Sequence, residues 1–297
     1  MFGVLPVDKS AGKTSRDIVN QVQRVLKPLK IKVGHTGTLD PMATGVLLIA
    51  VGHATRLMEF SHRSEKEYCG TFEAGKTSDS LDTEGEVRTL DEAKEFSQAD
   101  LEAALPRFTG LIEQVPPKYS AIHVDGKRAY ELARQGKDFE VPSRQVTIHR
   151  VSLTEFGYPR FSLQICCSSG TYIRTLGSDI ARSCGSDAVM SDLRRTRIGS
   201  VSVENCLSLE KLDSKEAVER ALLAPHVLLD QLAKCTLAED SATRIRNGIR
   251  LERSDLLGLS DLAEDPIAAF DAEKSLVAIL EKHSSGSYRS LRVFQNT

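Results

Sequence analysis

Tryptophan is absent from these 297 residues, and aromatic residues make up only 5%. That composition argues against a protein that reads nucleic-acid bases mainly through a platform of aromatic rings. No run of about 18 apolar residues occurs, so no membrane-crossing helix is expected. The stretch Met1 to Asp8 has neither a basic segment nor a long apolar core and does not read as a signal peptide. The six cysteines form no C-x-x-C pair, and the seven histidines show neither H-x-x-x-H nor H-E-x-x-H spacing. Reduced thiols in a cytoplasmic protein are expected, and a metal site is not.

Charge of one sign is also lacking: the net charge is -2. Its distribution is uneven. Residues 1–60 carry eight Lys/Arg against four Asp/Glu, and residues 106–200 carry fourteen against nine. Residues 61–105 carry five against twelve, and residues 201–297 carry twelve against sixteen. Two basic segments separated by an acidic one are able to form a basic cleft on a nearly neutral protein. Scattered surface charge would give the same counts.

The periodicity predicts a strand over 2–7 and a helix from Ser15, as its cap, to about Leu26, with Ile18, Val19, Val22 and Val25 on one face. Val46 to Val51 reads as a buried strand and Ala54 to Phe60 as a helix. Tyr68 to Phe72 has strand character, and residues 75–86 are a turn or loop. Helices are expected from Ser97 to about Phe108, over Lys127 to Gln135, over Thr171 to Cys184 and over 215–224, with strands over 145–154 and 160–167. Helices interrupt the strands irregularly, without strict β-α alternation. The expected class is therefore α+β, with a mixed, largely antiparallel sheet and flanking helices. From about residue 231 short strand-like pieces near 249–252, 267–270, 275–280 and 289–294 suggest a small C-terminal β-rich domain, dividing the chain into 1–230 and 231–297.

Residues 34–45, GHTGTLDPMATG, are the most informative stretch. Three glycines allow unusual backbone geometry, and Pro41 pushes Asp40 towards an extended conformation. The strongly apolar strand that follows would hold this carboxylate at the edge of a rigid sheet. An ordinary Asp-Pro turn would look the same in isolation.

The whole string resembles the catalytic loop of the TruB family of tRNA pseudouridine synthases. Other stretches agree in order: Val7-Asp8-Lys9 with Gly12, Thr14 and Ser15; Lys66-Glu67-Tyr68 with Gly75, Thr77, Asp79 and Asp82-Thr83-Glu84-Gly85; Pro116 to Ala121 with Gly126 to Tyr130; Gly170-Thr171-Tyr172-Ile173-Arg174; and Leu193 to Gly199. Ser10 stands where the family usually has proline. The resemblance covers residues 3–210 and then weakens.

It implies a sheet of the pseudouridine synthase type and isomerisation of uridine 55 in the T-psi-C loop of tRNA, with no cofactor. The N1–C1′ bond breaks, the base turns, and it rejoins through C5. Asp40 would be the essential carboxylate, either attacking or stabilising C1′ as positive charge develops there or assisting proton removal from the sugar. Arg174 would be its ion partner and Tyr68 would stack on the uracil. His35 would help hold the stem loop with the target base turned out. Lys9, Lys13, Arg194, Arg195 and Arg197 are candidates for phosphate contacts. Arg195 and Arg197 would share one face of a strand, since Thr196 separates them. A lone arginine, loop histidine or strand tyrosine would otherwise be unremarkable. The C-terminal region would be a PUA-like RNA-binding domain with Arg244, Arg246 and Arg250 as its basic exceptions. The expected partner is the tRNA T-arm stem loop, with no obligate protein partner and a monomeric enzyme.

Two rival readings exist. Residues 70–77, GTFEAGKT, satisfy the phosphate-loop pattern G-x-x-x-x-G-K-[ST] of nucleotide hydrolases. Charged residues precede it, a poor helix former follows, and Glu73 would sit where phosphate belongs. A non-catalytic RNA-binding or chaperone protein on the same fold is the other, with the trio Asp40, Tyr68 and Arg174 against it.

Overall fold

The computed structural model describes residues 1–124 and 126–295. Strands β1 (Gly3–Lys9), β2 (Val33–His35), β3 (Thr44–Val51), β4 (Lys66–Ala74), β5 (Gly110–Gln114), β6 (Arg144–Gly157), β7 (Arg160–Cys167), β8 (Ala188–Ile198), β9 (Val201–Ser202) and β10 (Leu207–Ser208) form one sheet. Its order is β10-β1-β3-β8-β4-β7-β6-β5, with β2 on β3 and β9 on β8. Among the described residues of this sheet, only β1–β10 and β3–β8 are parallel pairs. The mixed, largely antiparallel class expected above is the class observed.

The continuous apolar run of β3 has a direct cause: both its faces are covered. Leu47, Ile49 and Val51 pack with Ile18, Val19 and Val22 of helix α1 (Ser15–Val25). Val46, Leu48 and Ala50 pack with Leu228, Ala268 and Ile279 from the C-terminal region. Each of the valine, leucine and isoleucine side chains among these contributes about 1.5–3 kcal/mol when fully buried. Helix α1 is capped by Thr14, which forms a capping box with Asp17, and not by Ser15. Ser15 is buried and serves elsewhere.

The other half of the sheet has its own core of Phe72, Phe161, Leu163 and Ile165. Helices α2 (Gln98–Ala104) and α4 (Ile173–Ser183) cover it through Leu101, Leu176 and Ile180. Ser97 and Asp100 form the capping box of α2. A short helix α3 (Ala129–Arg134) lies between β5 and β6. Gly177 lets α4 approach β4 closely, because a Cβ there would overlap the Phe72 ring. Strand β8 joins the halves, running parallel to β3 and antiparallel to β4. At the β3–β8 junction Gly45 has φ +100°, and any Cβ would strike the Arg195 carbonyl.

After α5 (Lys215–Ala221), a second sheet of β11 (Ala233–Thr236), β12 (Ile267–Phe270), β13 (Leu276–Lys282) and β14 (Tyr288–Val293) carries α6 (Glu239–Arg246). Strand β11 and helix α6 were not anticipated. The strand expected at 249–252 is a single bridge, Leu251 to Tyr288. The segment 54–60 is 3-10 helix within Gly52–Arg63. Among the described residues no helix is long and apolar enough to cross a membrane.

Candidate active site

Residues 36–43 link β2 to β3 and carry Asp40 at the edge of a cavity of about 980 Å³. The link is fixed from several sides. Ser15 Oγ accepts from the Leu39 N–H at 2.9 Å and donates to the Leu39 carbonyl at 3.2 Å. Lys9 Nζ donates to Pro41 O at 3.0 Å and to Lys13 O at 2.6 Å. Arg195 Nε donates to Val46 O at 2.7 Å, and its Nη atoms reach Thr38 O and Gly37 O, each at 3.4 Å. Ser61 Oγ donates to Thr36 O at 3.2 Å.

Arg174 enters from the first turn of α4, brought close by the Gly177 contact. Its Nε lies 3.0 Å from Asp40 Oδ2, and its Nη2 lies 3.3 Å from Asp40 Oδ1. The Arg174 side chain is 5% exposed and the Asp40 side chain 30%, so the pair is open only on the carboxylate side. A second carboxylate stands behind: Asp82 Oδ2 is 3.2 Å from Arg174 Nη1. Asp82 is itself held by Ser80 Oγ at 2.6 Å and the Glu84 N–H at 3.1 Å. Arg174 also donates to Ser80 O at 2.8 Å and Tyr119 O at 3.2 Å. Burial pushes the Asp40 carboxyl above the usual carboxylate range; Arg174 pulls it down and Asp82 pushes it up.

Tyr68 projects from β4 into the same cavity and is 7% exposed. The Arg195 guanidinium lies 6.0 Å from the centre of its ring. Burial raises its phenol above the ordinary value. Also lining the cavity, the Arg144 guanidinium stacks 4.6 Å from the Tyr172 ring centre. Asp40, Tyr68 and Arg174 are thus brought together. The cavity also exposes residues given no role from sequence: Lys66, Asp82, Glu84, Arg144 and Tyr172. Asp82 was visible only as part of its motif, and the run of charges around Lys66 resembled surface.

The basic candidates separate. Lys9 and Arg195 are 0% and 2% exposed, and their donors go to loop carbonyls. They brace the Asp40 loop, which corrects the expectation that they contact phosphate. Arg195 and Arg197 do not share a face. A bulge between them sets Arg195 opposite Tyr68 and Arg197 opposite Glu67, adjacent residues with opposite orientations. Arg197 pairs with Glu67 at 2.8 Å, and Arg194 grips Asp8 at 2.8 and 3.1 Å. Lys13 is exposed. His35 sits on β2 beside Ile49, outside the residues that line the cavity. Burial, with help from Arg195 and Arg16, lowers its pKa.

The phosphate-loop match is not a phosphate loop. Gly70 to Ala74 are strand, Gly75 turns the chain, and Lys76–Thr77 pair with Arg88–Thr89. No helix opens after Thr77, and Lys76 Nζ bonds Glu73 at 2.7 Å.

Residues 23–173 match the family model of the TruB family pseudouridylate synthase N-terminal domain. Residues 174–235 match that of the tRNA pseudouridylate synthase B C-terminal domain. The chain is 38% identical over 289 residues to the tRNA pseudouridine synthase B of Syntrophomonas wolfei, covering 96% of this chain and 94% of that one. It is 39% identical over 292 residues to that of Listeria innocua, covering 95% and 94%. A chain of the Cbf5-Nop10-Gar1 complex superposes with TM-score 0.76 at 22% identity, covering 99% of this chain and 84% of that chain, a likeness of fold. With two consecutive family models across the site and full-length relatives at this identity, the chain belongs to the TruB family of pseudouridylate synthases.

Proposed function

We propose that this enzyme converts uridine 55 in the T-psi-C loop of tRNA to pseudouridine, with Asp40 as its essential carboxylate. The observation that carries the reading is the Asp40–Arg174 pair: a two-point contact, closed behind and open to a cavity of about 980 Å³. Breaking the N1–C1′ bond leaves positive charge at C1′, and a positioned carboxylate stabilises it. Arg174, anchored by Asp82, aims that carboxylate. Tyr68 offers its ring to the uracil. The target base must leave its stack at a cost of a few kcal/mol. Lys13 and Arg144 are available for phosphate contact, and His35 flanks the loop that carries Asp40.

The same reading takes residues 1–230 as the catalytic domain and 231–297 as a small RNA-binding domain, with Asn296 and Thr297 outside the described residues. In that second part Arg250 is exposed, whereas Arg244 pairs with Asp255 at 3.1 Å. The reading is of a monomer of the cytoplasm. Six free thiols suit a reducing compartment.

The test incubates purified protein with unmodified tRNA and maps pseudouridine. One site in the T loop is expected without added metal or nucleotide. Asp40→Asn is expected to bind RNA and yield no product. Binding by the wild type without isomerisation would instead support the non-catalytic alternative.

A further inference from the structure

Lys66 is a buried cation that the reading above leaves idle. It lies two residues before Tyr68 on β4, so both side chains leave the same face of the strand. Both line the cavity. Lys66 is 6% exposed. Its Nζ donates to the Ser64 carbonyl at 3.1 Å. An ammonium has three donors, and this contact satisfies one of them. The charged or titratable groups that bear on it are Arg195, His62 and the thiol of Cys167, its cross-strand neighbour. None supplies a counter-charge at neutral pH. Among the described residues no carboxylate pairs with Lys66 or with Arg195. Burying an ammonium so poorly matched costs several kcal/mol. A methionine would fill the space without that cost.

Asp40 and Asp82 meet Arg174, while Lys66 leaves the same face of β4 as Tyr68 and lines the same cavity. A uracil laid against the Tyr68 ring would therefore share its pocket with the Lys66 ammonium. When the N1–C1′ bond breaks, both electrons go to the base, and uracil is left as an anion. Its charge spreads over N1, O2 and O4 until C5 bonds to C1′, the C5 proton departs and N1 is protonated.

We propose that Lys66 is a second catalytic residue: its ammonium, backed by Arg195, contacts the detached uracil and stabilises its negative charge. A fixed cation in a dry pocket favours a charge that exists only during reaction far more than it favours the neutral substrate. This proposal rests on the pseudouridylation reading.

The experiment measures single-turnover rates on a T-arm stem loop with uridine or 5-fluorouridine at the target. Fluorine withdraws electrons and stabilises the departing anion by itself. Lys66→Met is expected to slow glycosidic cleavage of uridine roughly 10- to 100-fold, with RNA affinity changed less than about twofold. The loss should shrink with 5-fluorouridine. Lys66→Arg, which keeps the charge, should stay within about fivefold of wild type. With enzyme in saturating excess over RNA, the single-turnover rate constant is that of the folded enzyme, so a misfolded fraction leaves it readable. Wild-type rates in Lys66→Met, or an equal loss with both bases, would overturn the role of Lys66. Absence of product from the wild type would instead overturn the pseudouridylation reading.

Discussion

Ser15 holds both backbone polar groups of Leu39, the residue immediately before Asp40. A hydroxyl at the start of α1 therefore sets the position of a carboxylate 25 residues further along the chain. Removing it strands a buried N–H and a buried carbonyl, at about 1–3 kcal/mol each before relaxation. Ser15→Ala should lower the urea midpoint. It should also cut single-turnover rate roughly tenfold through misplacement of Asp40, with RNA affinity unchanged. Unchanged rate in a destabilised Ser15→Ala protein would show that the loop keeps its aim without this clasp.

Asp40 is pushed up by burial, opposed by Arg174 and reinforced by Asp82. If the ionised form does the work, rate falls as pH drops through this raised value. The acid limb of the pH–rate profile should therefore lie above the range of an ordinary aspartate. Asp82→Asn removes one raising influence, so the limb should move to lower pH while the maximal rate falls. A limb that stays in place in Asp82→Asn would mean that another group titrates.

Gly177 allows α4 to lie against Phe72, and Arg174 stands one turn earlier on that helix. Gly177→Ala forces a methyl group into the ring, an overpacking cost of about 1–3 kcal/mol. Thermal melting should show the loss, and activity should fall with it because the Arg174 guanidinium is displaced from Asp40.

Lys13 and Arg195 should behave differently towards RNA. Lys13→Ala should reduce the slope of log affinity against log salt by about one counterion. Arg195→Met should leave that slope unchanged and destabilise the protein, because its donors go to Gly37, Thr38 and Val46 rather than to solvent. An equal change of slope in both would place Arg195 at the RNA after all.

Local signals were legible where short-range physics decides. Ser97 with Asp100 marks a capping box, Val46 to Val51 reads as a buried strand, and Gly185 closes α4 with φ +85°. The Asp40 loop stood out by its glycines and proline. Long-range geometry was not legible. Thr14 rather than Ser15 caps α1 because Ser15 faces Leu39, and only the fold brings these together. The bulge that parts Arg195 from Arg197 depends on the register of β8 against β4. Lys9, Lys66 and Arg195 resembled solvent-facing charge, since nothing nearby in the chain announces that carbonyls or a cavity await them. In the C-terminal region, β11 is only four residues long and α6 is rich in charge, so neither shows a clear period.

Strand β8 occupies the middle of the large sheet although it is among the last of its strands to be synthesised. Until Ala188–Ile198 has emerged from the ribosome, β1–β3 and β4–β7 have no common neighbour, and the loop bearing Asp40 has no guanidinium beneath it. A nascent chain can therefore possess every residue of the Asp40–Arg174 pair and still be inert. Competence arrives with the insertion of one central strand between β3 and β4.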